Sequence, residues 1–346
     1  MMEYFLGQEP TNKYSNELYR AIQAGSELAT VELLLEQGNS NSAGHRPQYG
    51  SAALKMAIRN EDYDLLKLLA RVADAHGLEQ IEGDRAELDY VDPFGEAILL
   101  EDYEAVCILL KHGANPDALV SFWGLTQSTP RVVDYSALDR MTALLVAIDV
   151  GSLHIVQLLV ERGADVNSRL GMGVLRSPLQ RAAEIGDFSM VEFLIGQGAL
   201  IDLEPAYGGG TALQLAAMSG HVGIAEFLIE RGADVNHPPA RGPGRMAFEA
   251  AAEWCRPDVM YLLAQPEQGL QLDLEVTTEF EIVDCSSDDE GSDDSDMVDA
   301  CHLDVRTQYE RAIAFAEARN DHASIEIVRS IYASIGGRLS AQIESF

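Results

Sequence analysis

Positive charge is scarce in this sequence. Its 24 Lys and Arg stand against 56 Asp and Glu, a formal net charge of −32 over 346 residues. A balance this acidic repels polyanions, which excludes docking on nucleic acid through a basic footprint and docking on an anionic membrane. A basic partner, or a demand for solubility, suits the charge better. Cysteine is also rare. Cys107, Cys255, Cys285 and Cys301 form no C-x-x-C pair and follow no regular spacing, which argues against a disulfide framework or a zinc site and fits a reducing compartment. Long apolar runs are missing: the stretch from Ala143 to Ile148 stops at Asp149, far short of a membrane span. The opening MMEYFLGQEP carries Glu3 and lacks the apolar core of a secretory signal. Together these features describe a soluble intracellular chain, cytoplasmic or nuclear, with no membrane partner and no direct nucleic-acid partner. Apolar residues still make up 47% of it, enough to bury a core over most of its length.

The signatures of catalysis are absent as well. There is no G-x-x-x-x-G-K-[ST], and Gly208-Gly209-Gly210-Thr211 lacks the lysine that would reach a phosphate. Neither G-x-S-x-G nor H-E-x-x-H occurs, and the eight histidines are scattered. A calcium hand centred on Gly291 would have Ser286 first and Met297 twelfth, so both ends fail. Carboxylates are too plentiful for any one pair to mean acid–base chemistry. The expectation is a chain that is not an enzyme and holds no cofactor and no metal.

What is present is a repeat. Thr142 to Asn167 reads TALLVAIDVGSLHIVQLLVERGADVN, Ser177 to Asp202 reads SPLQRAAEIGDFSMVEFLIGQGALID, and Thr211 to Asn236 reads TALQLAAMSGHVGIAEFLIERGADVN. The three align without gaps. A threonine or serine opens each. The pairs Ala182–Ala183 and Ala216–Ala217 allow close helix approach, and Gly151, Gly186 and Gly220 end the first helix in a left-handed turn. An apolar stripe such as Ile155, Val156, Leu158 and Leu159 is the buried face of a second helix, closed by Gly163, Gly198 or Gly232. Helices this short do not stand alone in water, so stacking must stabilise them.

The pattern resembles the ankyrin repeat, which opens T-P-L-H-x-A-A and closes L-L-x-x-G-A-D-V-N. In that register weaker copies appear. One lies from Asn16 to Asn41, one from Ala52 to Ala70, and one opens at Asp92-Pro93-Phe94. A seventh spans Met246 to Leu263, and Arg311 to Val328 reads as a cap. Their first-helix turns fall at positions 25, 61, 101, 151, 186, 220, 255 and 320, with Glu61, Glu101, Cys255 and Asn320 where the others have glycine. The resemblance implies an all-α ankyrin-repeat solenoid of about eight helix-turn-helix repeats. Residues 1–13 form an N-terminal arm, 14–265 hold repeats one to seven with inserts at 71–91 and 118–140, 266–305 form an acidic disordered loop, and 306–346 form the cap and tail. The loop has 14 acidic residues and no Lys or Arg, a composition that cannot collapse. Glutamine in the histidine place, Gln180 and Gln214, and the cap YERAIAFAE look like the large ankyrin families of filamentous fungi.

The resemblance also implies a function: a monomeric, non-catalytic adaptor or scaffold that binds an unidentified protein through the concave ankyrin groove. In the family, contacts come from side chains just before the first glycine. That register falls on Arg59 and Asn60, Leu99 and Leu100, Asp149 and Val150, Glu184 and Ile185, Met218 and Ser219, Glu253 and Trp254, and Ala318 and Arg319. Acids alternating with apolar anchors suit a peptide whose apolar residues are flanked by Lys or Arg, with Met218 as adaptable contact and Trp254 as hot spot; the alternative is that Trp254 is buried beneath the neighbouring loop and that Leu99 and Leu100 pack under the Phe122-Trp123 segment. Phe122 and Trp123, adjacent in the second insert, are offered to a partner or packed locally. Ser286 and Ser287 precede acids by three residues, like sites of acidophilic kinases, and phosphorylation there would add about −1.5 to −2 charge each. Asn167 and Asn236 stand in the context of asparaginyl hydroxylation in the family, or serve as turn residues bonding their own backbone. The alternative is a transcriptional co-regulator using the acidic loop, with Phe280, Ile282 and Val283, as an interaction segment. An enzyme would require a closed pocket built by the two inserts.

Overall fold

The computed structural model describes residues 13–25, 27–40, 50–76, 92–120, 141–168, 175–272, 275–280 and 302–343. Among these the chain is all-α in its repeats, with eight helix pairs and two short antiparallel strand pairs. It divides into two compact units, one ending at Ser168 and one beginning at Leu175.

The first unit holds α1 (Lys13–Gln23), α2 (Leu28–Ser40), α3 (Ser51–Arg59), α4 (Tyr63–Leu69), α5 (Pro93–Leu99), α6 (Tyr103–Lys111), α7 (Ala143–Val150) and α8 (Leu153–Glu161). The first helices α1, α3, α5 and α7 pack neighbour on neighbour, and so do the second helices α2, α4, α6 and α8. Side-chain caps set the starts: Asp62 accepts from the Leu65 amide at 3.0 Å, Asp92 from Gly95 at 2.8 Å and Asp102 from Ala105 at 3.0 Å. Burial pushes the Asp92 carboxyl up, against the Gly95 amide and the nearby His76 and Lys55 charges. Leu54, Ile58, Leu66, Leu69, Phe94, Ile98, Leu109, Leu144 and Leu145 form the sealed interior. Each such side chain contributes about 1.5–3 kcal/mol on burial, which helices of seven to nine residues need to persist. The second insert begins and ends in a small ladder, β1 (Leu119–Val120) against β2 (Met141–Thr142). Residues 77–91 and 121–140 of the inserts lie outside the described residues.

The second unit holds α9 (Pro178–Ile185), α10 (Phe188–Gly196), α11 (Ala212–Ser219), α12 (Val222–Glu230), α13 (Ala247–Glu253), α14 (Pro257–Leu263), α15 (Gln308–Ala318) and α16 (His322–Ile343). Here α9, α11, α13 and α15 pack in order, as do α10, α12, α14 and α16. The glutamines close their caps and bridge outward. Gln180 Oε1 accepts from the Ser177 amide at 3.0 Å while its Nε2 donates to the Leu203 carbonyl at 2.9 Å. Gln214 does the same with Thr211 and with His237. Asn236 does not bond its own backbone as a turn asparagine would: its carboxamide donates to the Gly269 carbonyl and accepts from the Gln271 amide, both at 2.9 Å. The turn bond comes instead from Asp234, which accepts from the Asn236 amide at 2.9 Å.

The span 266–305 is not disordered throughout. A 3-10 turn covers Pro266–Gln268, and β3 (Glu275–Phe280) pairs antiparallel with β4 (His302–Thr307), running from Glu275 opposite Thr307 to Phe280 opposite His302. The β-branched residues Val276, Thr277, Thr278 and Val305 give these flanks strand propensity that the acidic count conceals. Residues 281–301, which carry most of the acid, lie outside the described residues, and with them Ser286 and Ser287. The cap is also longer than the motif implies, since α16 runs 22 residues.

Candidate partner-docking face

Every first helix ends in the same backbone turn. The eight anchor positions all have positive φ: Gly25, Gly151, Gly186 and Gly220, and also Glu61 (53°), Glu101 (56°), Cys255 (52°) and Asn320 (56°). These four are the only non-glycine residues of positive φ among the described residues. One register therefore locates the preceding two residues on every first helix.

In the first unit Arg59 and Asn60, Leu99 and Leu100, and Asp149 and Val150 stand at the ends of α3, α5 and α7. Leu100 is 55% exposed, while Leu99, Asp149 and Val150 are half-buried. In the second unit Glu184 and Ile185, Met218 and Ser219, Glu253 and Trp254, and Ala318 and Arg319 stand at the ends of four first helices packed side by side. Ile185 and Trp254 are each 41% exposed, and Glu184, Met218 and Glu253 are half-buried. Phe122 and Trp123 lie outside the described residues.

The carboxylates of the second row are engaged from within the chain. Glu184 receives Arg176 through two bonds, at 3.2 and 3.3 Å, and Arg181 at 2.9 Å. Glu253 receives Arg245 at 2.8 Å and sits 3.8 Å from Arg319. Their acidity was the ground for expecting Lys or Arg beside the partner's apolar anchors, and the chain's own guanidiniums now fill that role. Arg319 also lies over the Trp254 ring, 3.7 Å from its centroid, a cation–π contact on one face of the indole.

In the second unit, side chains flanking the anchors tie neighbouring repeats together. His221 Nε2 meets the Glu184 carbonyl at 3.2 Å, Ser219 Oγ donates to the same oxygen at 3.1 Å, and Arg256 Nε donates to the Met218 carbonyl at 3.2 Å. At the next step Asp321 Oδ1 accepts from the Ala323 and Ser324 amides at 3.2 and 3.3 Å, and the neighbouring Cys255 thiol, with Ser324, holds its carboxyl below the usual range. The backbone under Ile185, Met218 and Trp254 is thereby fixed. Among the described residues, no group of three or more His, Cys, Asp or Glu is placed to hold a metal ion, and no helix is long and apolar enough to cross a membrane.

Paired short helices with a shared left-handed turn and a fixed first-helix row define a helical-repeat protein. The comparisons name the kind. The model described as ankyrin repeats in three copies matches residues 170–239, and the single ankyrin repeat model matches residues 139–169. The chain carries ankyrin repeats. The ankyrin repeat and KH domain-containing protein mask-1 of Caenorhabditis elegans is 28% identical over 208 residues, 60% of this chain. The match spans only 7% of that relative's length. The solved ankyrin repeat domain of Bcl-3, a member of the IkappaB family, is 23% identical with a TM-score of 0.50, covering 74% of this chain and 98% of that one. The human ASB11 ankyrin repeat domain is 24% identical with a TM-score of 0.47, covering 64% and 85%. The likeness to Bcl-3 is one of fold. Ankyrin repeats are in general non-catalytic protein–protein interaction modules.

Proposed function

We propose that this chain is a non-catalytic adaptor or scaffold that docks a partner protein on its first-helix row, with Ile185, Met218 and Trp254 as apolar contacts in the second unit. One observation carries the reading: four first helices pack side by side and bring half-exposed apolar side chains to one register, on a backbone fixed by His221, Ser219 and Arg256. A large aromatic in such a row is the usual centre of binding energy. Leu99, Leu100, Asp149 and Val150 form the equivalent row of the first unit.

Affinity capture from native lysate tests this, with intact protein and the double variant Ile185→Asp/Trp254→Ala as baits, the variant first shown to keep its far-UV circular dichroism. A partner retained by the intact chain and lost by the folded variant is the expected result. Equal capture by both baits overturns the reading, and so does unfolding of the variant, which would make these side chains part of the core.

A further inference from the structure

Resting on that docking reading, we propose that the Trp254 end of the row takes an acidic partner segment, in which carboxylates flank an apolar anchor. Around Trp254 three guanidiniums gather on three adjacent elements. Arg245 precedes α13, Arg256 begins α14 and Arg319 follows α15. Arg245 and Arg319 share the single carboxylate of Glu253, and Arg256 spends its Nε on the Met218 carbonyl rather than on an acid. Arg319 is exposed, with its Cζ 3.7 Å from the centroid of the Trp254 ring, and is held by Glu253 only at 3.8 Å. A guanidinium is the planar fork that receives a carboxylate in two parallel hydrogen bonds. A second stack lies alongside, with Arg245 3.8 Å from the Phe315 ring centroid.

The choice of cation points the same way. The chain has no lysine after Lys111, so every side-chain cation of the second unit other than histidine is an arginine. Lysine would supply charge alone; arginine supplies charge with bidentate geometry and a face that stacks on aromatics. The overall charge of −32 does not forbid an acidic partner. Its field is screened beyond about 8 Å at physiological salt, and at short range the three guanidiniums outnumber the one carboxylate, Glu253, that pairs with them. From Ile185 on α9 to Arg319 after α15 there are three helix-to-helix steps, about 24–30 Å at the usual packing distance. An extended segment of about eight or nine residues covers that length.

The test uses a displayed library of random dodecapeptides panned on the full chain, with recovered peptides titrated by fluorescence anisotropy at low and moderate salt. Peptides rich in Asp and Glu around Leu, Phe or Trp are expected, weakened by salt and bound about tenfold less tightly by Arg319→Glu. Arg319→Lys, which keeps the charge and loses the fork, should fall between. Recovery of Lys- and Arg-rich peptides overturns the inference. So does binding that depends on Ile185 and Trp254 but ignores Arg319→Glu, an outcome that leaves the docking row standing. Peptides indifferent to all these side chains, or none recovered, overturn both readings. A chain lacking residues 284–299 is panned in parallel. Acidic peptides that bind only this shortened chain would show the row occupied by the chain's own acidic segment, and would overturn a separate partner.

Discussion

Both units mix glycine with other residues at the shared turn, Gly25, Glu61, Glu101 and Gly151 in the first and Gly186, Gly220, Cys255 and Asn320 in the second. Glu61 and Glu101 of the first set against Gly186 and Gly220 of the second show one thing that decides between them, which is what the next repeat lays over the turn. A Cβ on Gly186 would meet the His221 ring at 2.4 Å, and one on Gly220 would meet the Arg256 side chain at 2.7 Å. Glu61 and Glu101 are exposed, and their side chains have room. Glycine is thus demanded where repeats are cross-tied by a side chain over the anchor, and the left-handed φ alone does not demand it. Ion pairs show the same contrast. In the second unit Arg311 and Glu249 are paired at 2.7 Å, with side chains 5% and 0% exposed. In the first, the Arg59–Glu96 pair leaves half of the Arg59 side chain in water.

The largest effect expected follows from that last difference. Glu249→Ala strands the Arg311 cation between α13 and α15, and removing one member of a buried pair costs about 3–5 kcal/mol. Arg59→Ala in the first unit should cost less, about 1–3 kcal/mol, because it removes a partner already half in water but leaves the Glu96 side chain, 11% exposed, with one cation fewer. Urea unfolding followed by circular dichroism gives both numbers, and amide exchange should lose protection in α13 and α15 for the first variant alone. Equal effects would erase the contrast between the units. Next comes Gly186→Ala. The left-handed conformation costs a non-glycine residue about 1–2 kcal/mol, and displacement of the His221 ring adds to it. In a double-mutant cycle with His221→Ala the two losses should not add, because the second change removes the clash made by the first. Additive losses would mean that the ring does not press on the anchor.

The repeat register was legible because it rests on local chemistry. Caps such as Ser177 and Thr211, alanine pairs and the eight turn positions are written in short stretches, and even the four substituted anchors fall where spacing put them. The strands flanking the acidic run were hidden because β3 and β4 are separated by more than twenty residues, and pairing at that distance leaves no local period. The neutralised carboxylates were missed for another reason. Arg176 and Arg245 each stand directly before a helix cap, and Glu184 and Glu253 follow eight residues later. That spacing places the two ends of a two-turn helix on one face. It recurs in repeats five and seven, and this recurrence was the signal available. A list of side chains preceding the turn does not reveal it, because the partner lies at the helix's other end.

The smallest prediction sharpens the opening contrast from the other side. Glu101 carries left-handed strain, and among the described residues no side-chain hydrogen bond crosses its anchor as compensation, so Glu101→Gly should stabilise the first unit. Relief of about 1–2 kcal/mol is opposed by the extra freedom of glycine in the unfolded chain, about 0.5–1 kcal/mol, leaving a net gain of about 0.5–1 kcal/mol. Cys255→Gly relieves the same strain but also removes the thiol beside Asp321 that favours its ionised form, and should gain less. A shift in urea midpoint upward for Glu101→Gly and smaller for Cys255→Gly is the expected order. The reverse order would mean that Glu101 is held by interactions of its own, and that the first unit is cross-tied as tightly as the second.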